Sequence, residues 1–187
     1  MSVAIKRQNV KSSITLAITP PRFSLNPSLS PTITLTAMSH YYEPITLFTQ
    51  PTIFNLGLSQ RRNDFICHDI TTADTKPLCI DITKGGKRPG FNRGLGGSDD
   101  RFFVTCDPET PTEFQEGFRL ANRSVDQNTL EVGHRYWFEI KEGQVVSWWR
   151  AGRKAEVMAT PGERASLGEA NRGPITLQVE GVEFEVL

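Results

Sequence analysis

Residues 14–19, Ile-Thr-Leu-Ala-Ile-Thr, and 32–37, Thr-Ile-Thr-Leu-Thr-Ala, carry a large apolar side chain at every second position or close to it. Successive side chains of an extended chain point to opposite faces, so Ile14, Leu16 and Ile18 share one face of a strand, and Ile33, Leu35 and Ala37 share one face of another. This is the pattern of half-buried strands and not the three-and-four spacing of a helix. Ile45 and Leu47 follow Pro44 in the same rhythm. The linker PPRFSLNPSLSP holds four prolines in twelve residues. Each withholds a ladder donor and fixes φ, so the linker is irregular. Residues 1–12 are polar and aperiodic, and read as a flexible tail ahead of one domain spanning 13–187.

Two hairpins are predicted further on. DFICHDITTADTKPLCIDI turns near Ala73-Asp74, which sets Cys67 opposite Cys79 and puts Ile66, His68, Ile70, Leu78, Ile80 and Ile82 on the core face. RYWFEIKEGQVVSWWR turns at Glu142-Gly143, pairing Tyr136 with Trp149 on one face and Trp137 with Trp148 on the other. In RFFVTCD, Phe102, Val104 and Cys106 share a face, with Cys106 a small buried hydrophobe. ITLQVEGVEFEVL changes phase at Gly181 and reads either as a tight hairpin or as one strand with a glycine bulge. Only RKAEVMA, residues 153–159, has helical propensity, and it lies inside an excursion from Ala151 to Pro174.

About ten short strands separated by turn signals, with almost no helix, predict an all-β sandwich with long loops. The run Leu130-Glu131-Val132-Gly133-His134-Arg135-Tyr136-Trp137-Phe138-Glu139-Ile140 resembles the tyrosine corner of fibronectin type III and other immunoglobulin-like domains. The resemblance implies an immunoglobulin-like antiparallel β-sandwich in which the Tyr136 hydroxyl closes on upstream backbone. Val132 stands where that motif usually has proline. From about residue 12 onward the chain is also similar to a group of short fungal proteins, a likeness that implies no functional residues.

Composition narrows the function. A domain of 187 residues buries roughly 70% of its unfolded surface, enough for one core. Twenty-one basic residues balance twenty-one acidic ones, so the bulk charge that draws a chain to nucleic acid or to an anionic membrane is missing. No apolar run approaches the ~20 residues of a membrane span, and the N-terminus has no signal-peptide core. Cys67, Cys79 and Cys106 form neither an even set nor a CxxC pair, which suits a reducing, cytoplasmic setting.

Most motifs that could carry chemistry fail on spacing. The stretch GGKRPGFNRGLGGSDDR, residues 85–101, fails as a P-loop because Gly86-Lys87 is followed by Arg88. It fails as a dinucleotide fingerprint because Gly94-Leu95-Gly96 reaches Asp99 at the sixth position. What remains is a crossover loop presenting Lys87, Arg88, Arg93 and Arg101. Adjacent strand residues face opposite ways, so Cys67 and His68 cannot share an ion, and neither a metal nor a cofactor is implied. Asp69 and Asp81 would stand roughly 13 Å apart, too far for a glycosidase pair, which needs about 5–9.5 Å. Asp99 and Asp100 read as residues that cap or solvate a turn. His40, His68 and His134 sit near no nucleophile elbow, so any triad would have to come from distant segments.

The expected site is therefore the Trp137/Trp148 pair with Arg135, Arg150 and Arg93 around it. Such aromatic and guanidinium groups bury large areas at low entropy cost. The expected function is a non-catalytic binding module for a protein partner or a small apolar ligand. The alternative is a cofactor-independent cyclase or isomerase acting on an apolar natural product in a lidded pocket. There His134 or Glu139 would move the proton and Arg150 or Arg93 would steady an oxyanion.

Overall fold

The computed structural model describes residues 11–25, 30–72, 77–78, 94–122, 130–158 and 173–187. β1 (Ser12–Thr19) runs antiparallel to β3 (Thr32–Ser39), and β3 to β7 (Pro111–Gly117), giving a first sheet of order β1-β3-β7. A second sheet has the order β2-β12-β8-β5, from β2 (Arg22–Phe23), β12 (Val182–Val186), β8 (Arg135–Ile140) and β5 (Phe65–Asp69). Its pairs are antiparallel except β2 with β12. Three shorter strands, β4 (Ile45–Phe48), β6 (Phe103–Cys106) and β10 (Trp149–Ala151), form a third sheet of order β10-β4-β6. β9 (Val145–Val146) pairs with β11 (Ile175–Thr176). Helices are short: α1 (Leu56–Arg62) and α2 (Lys154–Val157). The architecture is an all-β sandwich.

The period-two expectation holds where it is strongest. Ile14, Leu16 and Ile18 of β1 and Ile33, Leu35 and Ala37 of β3 are all buried. They pack in one cluster with the inner face of the second sheet, which is aromatic rather than aliphatic. Phe184 stacks on Phe23 at 5.4 Å and on Tyr136 at 5.2 Å, Phe65 stacks on Phe138 at 5.0 Å, and Phe118 meets Phe138 edge-on at 5.2 Å. Each such pair adds roughly 0.5–1.5 kcal/mol to the burial of its rings.

Several expectations are corrected. In β5 the core residues are Phe65 and Cys67, not Ile66, His68 and Ile70; Ile70 is 37% exposed. Both faces of FICHDI are apolar enough to be inner, and Phe65 and Cys67 win because they lie opposite Ile140 and Phe138. Leu78, not Cys79, is the bridge partner of Cys67, with Leu78 N–H donating to Cys67 O at 2.8 Å. Cys79, Ile80, Asp81 and Ile82 lie outside the described residues, as do Lys87, Arg88 and Arg93. In RFFVTCD the buried residues are Phe103 and Cys106, while Phe102 and Val104 are half-buried, because Phe103 is the ring that packs against Phe48 and Trp148.

The hairpin of β8 with residues 145–150 does not form. β8 lies between β12 and β5, and the chain after the Glu142-Gly143 turn leaves for other sheets. The physical reason is the spacing of its buried residues. Val146 and Trp149 are three apart, which no single strand can place on one face. Trp137 therefore lies opposite His68 and Glu183, and is not paired with Trp148. Near Gly181 neither alternative is realised: β11 and β12 belong to different sheets, joined by residues 177–181.

β7 and α1 have no counterpart among the expected elements. β7 carries two glutamates and a leading proline, a weak strand signal. α1 contains Gly57 and is only seven residues long, but it ends as helices should, with Arg61 and Arg62 in the last turn and Asn63 left-handed at φ 60°. Its buried Gln60 ties it to the first sheet: Nε2 donates to Gly117 O at 2.9 Å, and Oε1 accepts from Arg119 N–H at 2.8 Å. No helix among the described residues is long and apolar enough to cross a membrane.

Candidate functional site

The second sheet has an outer face as well as an inner one. Strand register sets Ile66 beside Glu139, Trp137 between His68 and Glu183, and Arg135 beside Glu185, which in turn neighbours Arg22. Trp137 is the half-exposed centre of this face. Its indole N–H donates to Glu139 Oε2 at 2.9 Å, and its ring lies against Gly181, where a Cβ would come within 2.5 Å of Cε2. Only glycine fits there, so the backbone that follows β11 clamps the ring in place. Arg22 meets Glu185 at 3.0 Å and Arg135 meets Glu183 at 3.9 Å, so acidic and basic groups interleave around the indole.

Trp148 stands elsewhere. It meets Phe103 edge-on at 5.5 Å, Phe103 stacks on Phe48 at 4.9 Å, and the Arg150 guanidinium lies 5.7 Å over the Trp148 ring. This is a separate aromatic cluster on the third sheet. The described end of the glycine-rich stretch joins it. Gly97 N–H donates to Gly94 O, Asp100 accepts from Gly96 N–H at 3.2 Å, and Lys154 of α2 reaches Asp100 Oδ2 at 2.5 Å. The expected turn-capping role of Asp100 is thus observed, and this end of the stretch runs beside Trp148, not Trp137.

His134 closes the end of the second sheet where β8 begins. Its Nδ1 is 2.7 Å from Asp69 Oδ2, and its Nε2 is 3.4 Å from Glu131 Oε2. Asp69 Oδ1 also accepts from the N–H groups of Thr71 at 2.8 Å and Thr72 at 3.4 Å. The hydrogen bond to Asp69, joined by the charges of Asp69 and Glu131, raises the His134 pKa above its ordinary value despite partial desolvation. Burial pushes the Asp69 carboxyl up, but the bonds from His134, Thr71 and Thr72 outweigh it and hold the carboxyl below its usual range. Two carboxylates favour the protonated imidazole, which makes His134 a poorer general base. Beside it the Tyr136 hydroxyl accepts from Glu131 N–H at 2.7 Å, and Gly133 makes the intervening turn at φ 84°.

The alternative proton-transfer candidates, His134 and Glu139, and the oxyanion candidate Arg150 stand in three separate places. Glu139 lies five residues along β8 from His134, roughly 17 Å at ~3.4 Å per residue. Arg150 belongs to the Trp148 cluster. A narrow cleft between the first and third sheets is lined by Ala37, Ile45, Leu47, Phe54, Cys106 and Val146. It encloses no imidazole, carboxylate or guanidinium, and burial pushes the Cys106 thiol pKa up. Burial likewise raises Cys67, so neither thiol is a ready nucleophile. No group of three or more His, Cys, Asp or Glu side chains among the described residues could hold a metal ion. The chain matches no protein-family model, no curated protein and no solved structure.

Proposed function

We propose that the chain is an immunoglobulin-like sandwich that binds a protein partner through the outer face of β12-β8-β5, with Trp137 as the anchor. Two features support the immunoglobulin-like class. The order β1-β3-β7 corresponds to strands A, B and E of that architecture and β12-β8-β5 to G, F and C. Tyr136, near the start of the F-like strand, closes on backbone five residues upstream. On this reading the third sheet and the β9-β11 pair are built from the B–C, C–E and F–G connections, which cluster at one end of the sandwich.

The observation that carries the binding reading is the clamped indole of Trp137. A half-exposed tryptophan fixed by Gly181 and Glu139 has already lost its rotamer freedom, so binding costs little further entropy. The interleaved charges of Arg22, Arg135, Glu183 and Glu185 make a polar rim that sets orientation. Among the described residues the face is a sheet surface, which suits a macromolecule better than a small apolar ligand.

A photo-crosslinking residue at position 66, beside Glu139, identifies the partner by mass, and titration of that purified partner then tests the site. Trp137→Ala should weaken its binding about 30-fold or more, the size of a hot-spot loss. Equal affinity for the wild type and Trp137→Ala would end this proposal.

A further inference from the structure

Three segments far apart in sequence meet at the end of the first sheet where β1 starts and β3 finishes. Ser13 Oγ lies 2.6 Å from His40 Nε2, and His40 Nδ1 lies 2.9 Å from both Glu109 carboxylate oxygens. A carboxylate on Nδ1 selects the tautomer with the proton on that nitrogen, which leaves Nε2 as the acceptor for the Ser13 hydroxyl proton. That is the order of roles in a serine nucleophile with its general base and orienting acid.

The backbone holds this arrangement in place from every side. His40 N–H donates to Lys11 O at 3.0 Å, fixing the imidazole across from β1. Glu109 N–H donates to Ser39 O at 2.9 Å, and Ser39 bridges to Pro108. Glu109 itself is left-handed at φ 51°, one of two non-glycine residues with positive φ among those described. A glutamate is strained in that conformation, and strain of this kind collects where geometry serves a site. A surface ion pair alone contributes too little to require it.

We infer that Ser13, His40 and Glu109 form a nucleophilic centre that cleaves short-chain carboxylic esters. His40 Nε2 takes the Ser13 proton as Oγ bonds to the carbonyl carbon. The bond to the leaving alcohol then breaks, and that alkoxide takes the proton from Nε2. Water, deprotonated by the same nitrogen, attacks the acyl-serine and releases the acid, returning Ser13 to its hydroxyl form. Glu109 touches neither substrate nor leaving group and is a positioning residue.

Donors for the oxyanion also follow from the ladder. Because Lys11 is hydrogen-bonded across to His40, Ser13 occupies the next hydrogen-bonded position, and the N–H of Ile14 points away from β3. Among the described residues β1 has no strand partner on that side. A single edge-strand donor suits an ester, whose alcohol leaves readily, and not an amide, whose nitrogen must be protonated first. The cleft between the first and third sheets reaches Ser12 and Ser39, the chain neighbours of Ser13 and His40, and Met38, the cross-strand partner of Ser13.

The test is labelling of the intact chain with a fluorophosphonate, which forms a phosphorus–oxygen bond to an activated serine and releases fluoride. Intact and peptide mass should show one adduct, on Ser13. Ser13→Ala should abolish it, and His40→Gln should slow it roughly 100-fold, within the usual range for loss of a general base. Ser13 is exposed, so its alanine variant retains the fold, checked by an unchanged thermal midpoint. Hydrolysis of p-nitrophenyl acetate should fall in parallel. No adduct, an adduct on another residue, or labelling and ester hydrolysis that persist in Ser13→Ala would overturn the inference.

Discussion

The sandwich has a histidine held by a carboxylate at each of two ends, and the two histidines differ in what faces the second nitrogen. At the corner end, where β8 begins and β5 and β12 finish, Nδ1 of His134 meets Asp69 and Nε2 meets Glu131. At the other end, where β1 begins and β3 finishes, Nδ1 of His40 meets Glu109 and Nε2 meets the Ser13 hydroxyl. A second carboxylate favours the imidazolium form of His134, whereas at His40 the second nitrogen faces a hydroxyl that it can activate. Burial separates them further. The His134 and Asp69 side chains are 22% and 16% exposed, while those of His40 and Glu109 are 32% and 65% exposed. The first pair should therefore act on stability and the second on reactivity.

The largest effect expected of this contrast is at the corner. Tyr136 is 1% exposed, and its hydroxyl accepts the Glu131 N–H. Tyr136→Phe keeps the ring stack on Phe184 but leaves that donor without its partner, which costs about 1–3 kcal/mol. The chemical-denaturation midpoint should fall accordingly, with Ser13 labelling unchanged in the folded protein. An unaltered midpoint would mean that the corner contributes no stability and would remove the contrast.

Asp69→Asn should have a smaller, pH-dependent effect. The depressed Asp69 pKa gives stability that is present above its unfolded value near 4 and is lost as pH falls through the folded value. The raised His134 pKa gives stability that is present below about 6.5 and is lost as pH rises through the folded value. The charged pair thus stabilises most between about pH 4 and 6.5. The difference in midpoint between wild type and Asp69→Asn should peak in that window and shrink on both sides. A difference that is flat with pH would show that shape, not charge, holds the corner.

The sheet pattern was legible where one face is apolar and the other polar, as in β1 and β3, because the period alone decides which side is buried. It misled where both faces are apolar. FICHDI could turn either way, and only its neighbours Phe138 and Ile140 choose Phe65 and Cys67. The corner was legible because Tyr136 and Glu131 are five residues apart, a local contact. The Trp137/Trp148 pair was not, because a turn signal at Glu142-Gly143 does not say which sheet the chain enters next. Of the expected site residues, Trp137 and Arg135 share the outer face of the second sheet, while Trp148 and Arg150 belong to the third. Arg93 lies outside the described residues. Ser13, His40 and Glu109 carry no motif at all. They are joined only by strand register, which places Ser13 opposite Met38 and Pro111 opposite the same residue.

The smallest stability effect, and the sharpest contrast, is expected of Glu109→Gln. The carboxylate is mostly exposed and its pair with His40 is screened by solvent, so the melting midpoint should correspond to a change within about 0.5 kcal/mol. Reactivity is another matter, because the amide no longer fixes the Nδ1 proton. The substituted side chain can present either its oxygen or its nitrogen to the imidazole, and only the oxygen keeps Nε2 as an acceptor for Ser13. Fluorophosphonate labelling should therefore slow roughly tenfold, less than the loss seen when a buried orienting carboxylate is neutralised. If instead Glu109→Gln lowers the midpoint as much as Tyr136→Phe while labelling is untouched, the two ends are alike: both are clasps, and the strained turn at Glu109 serves only to pin β7 to β3.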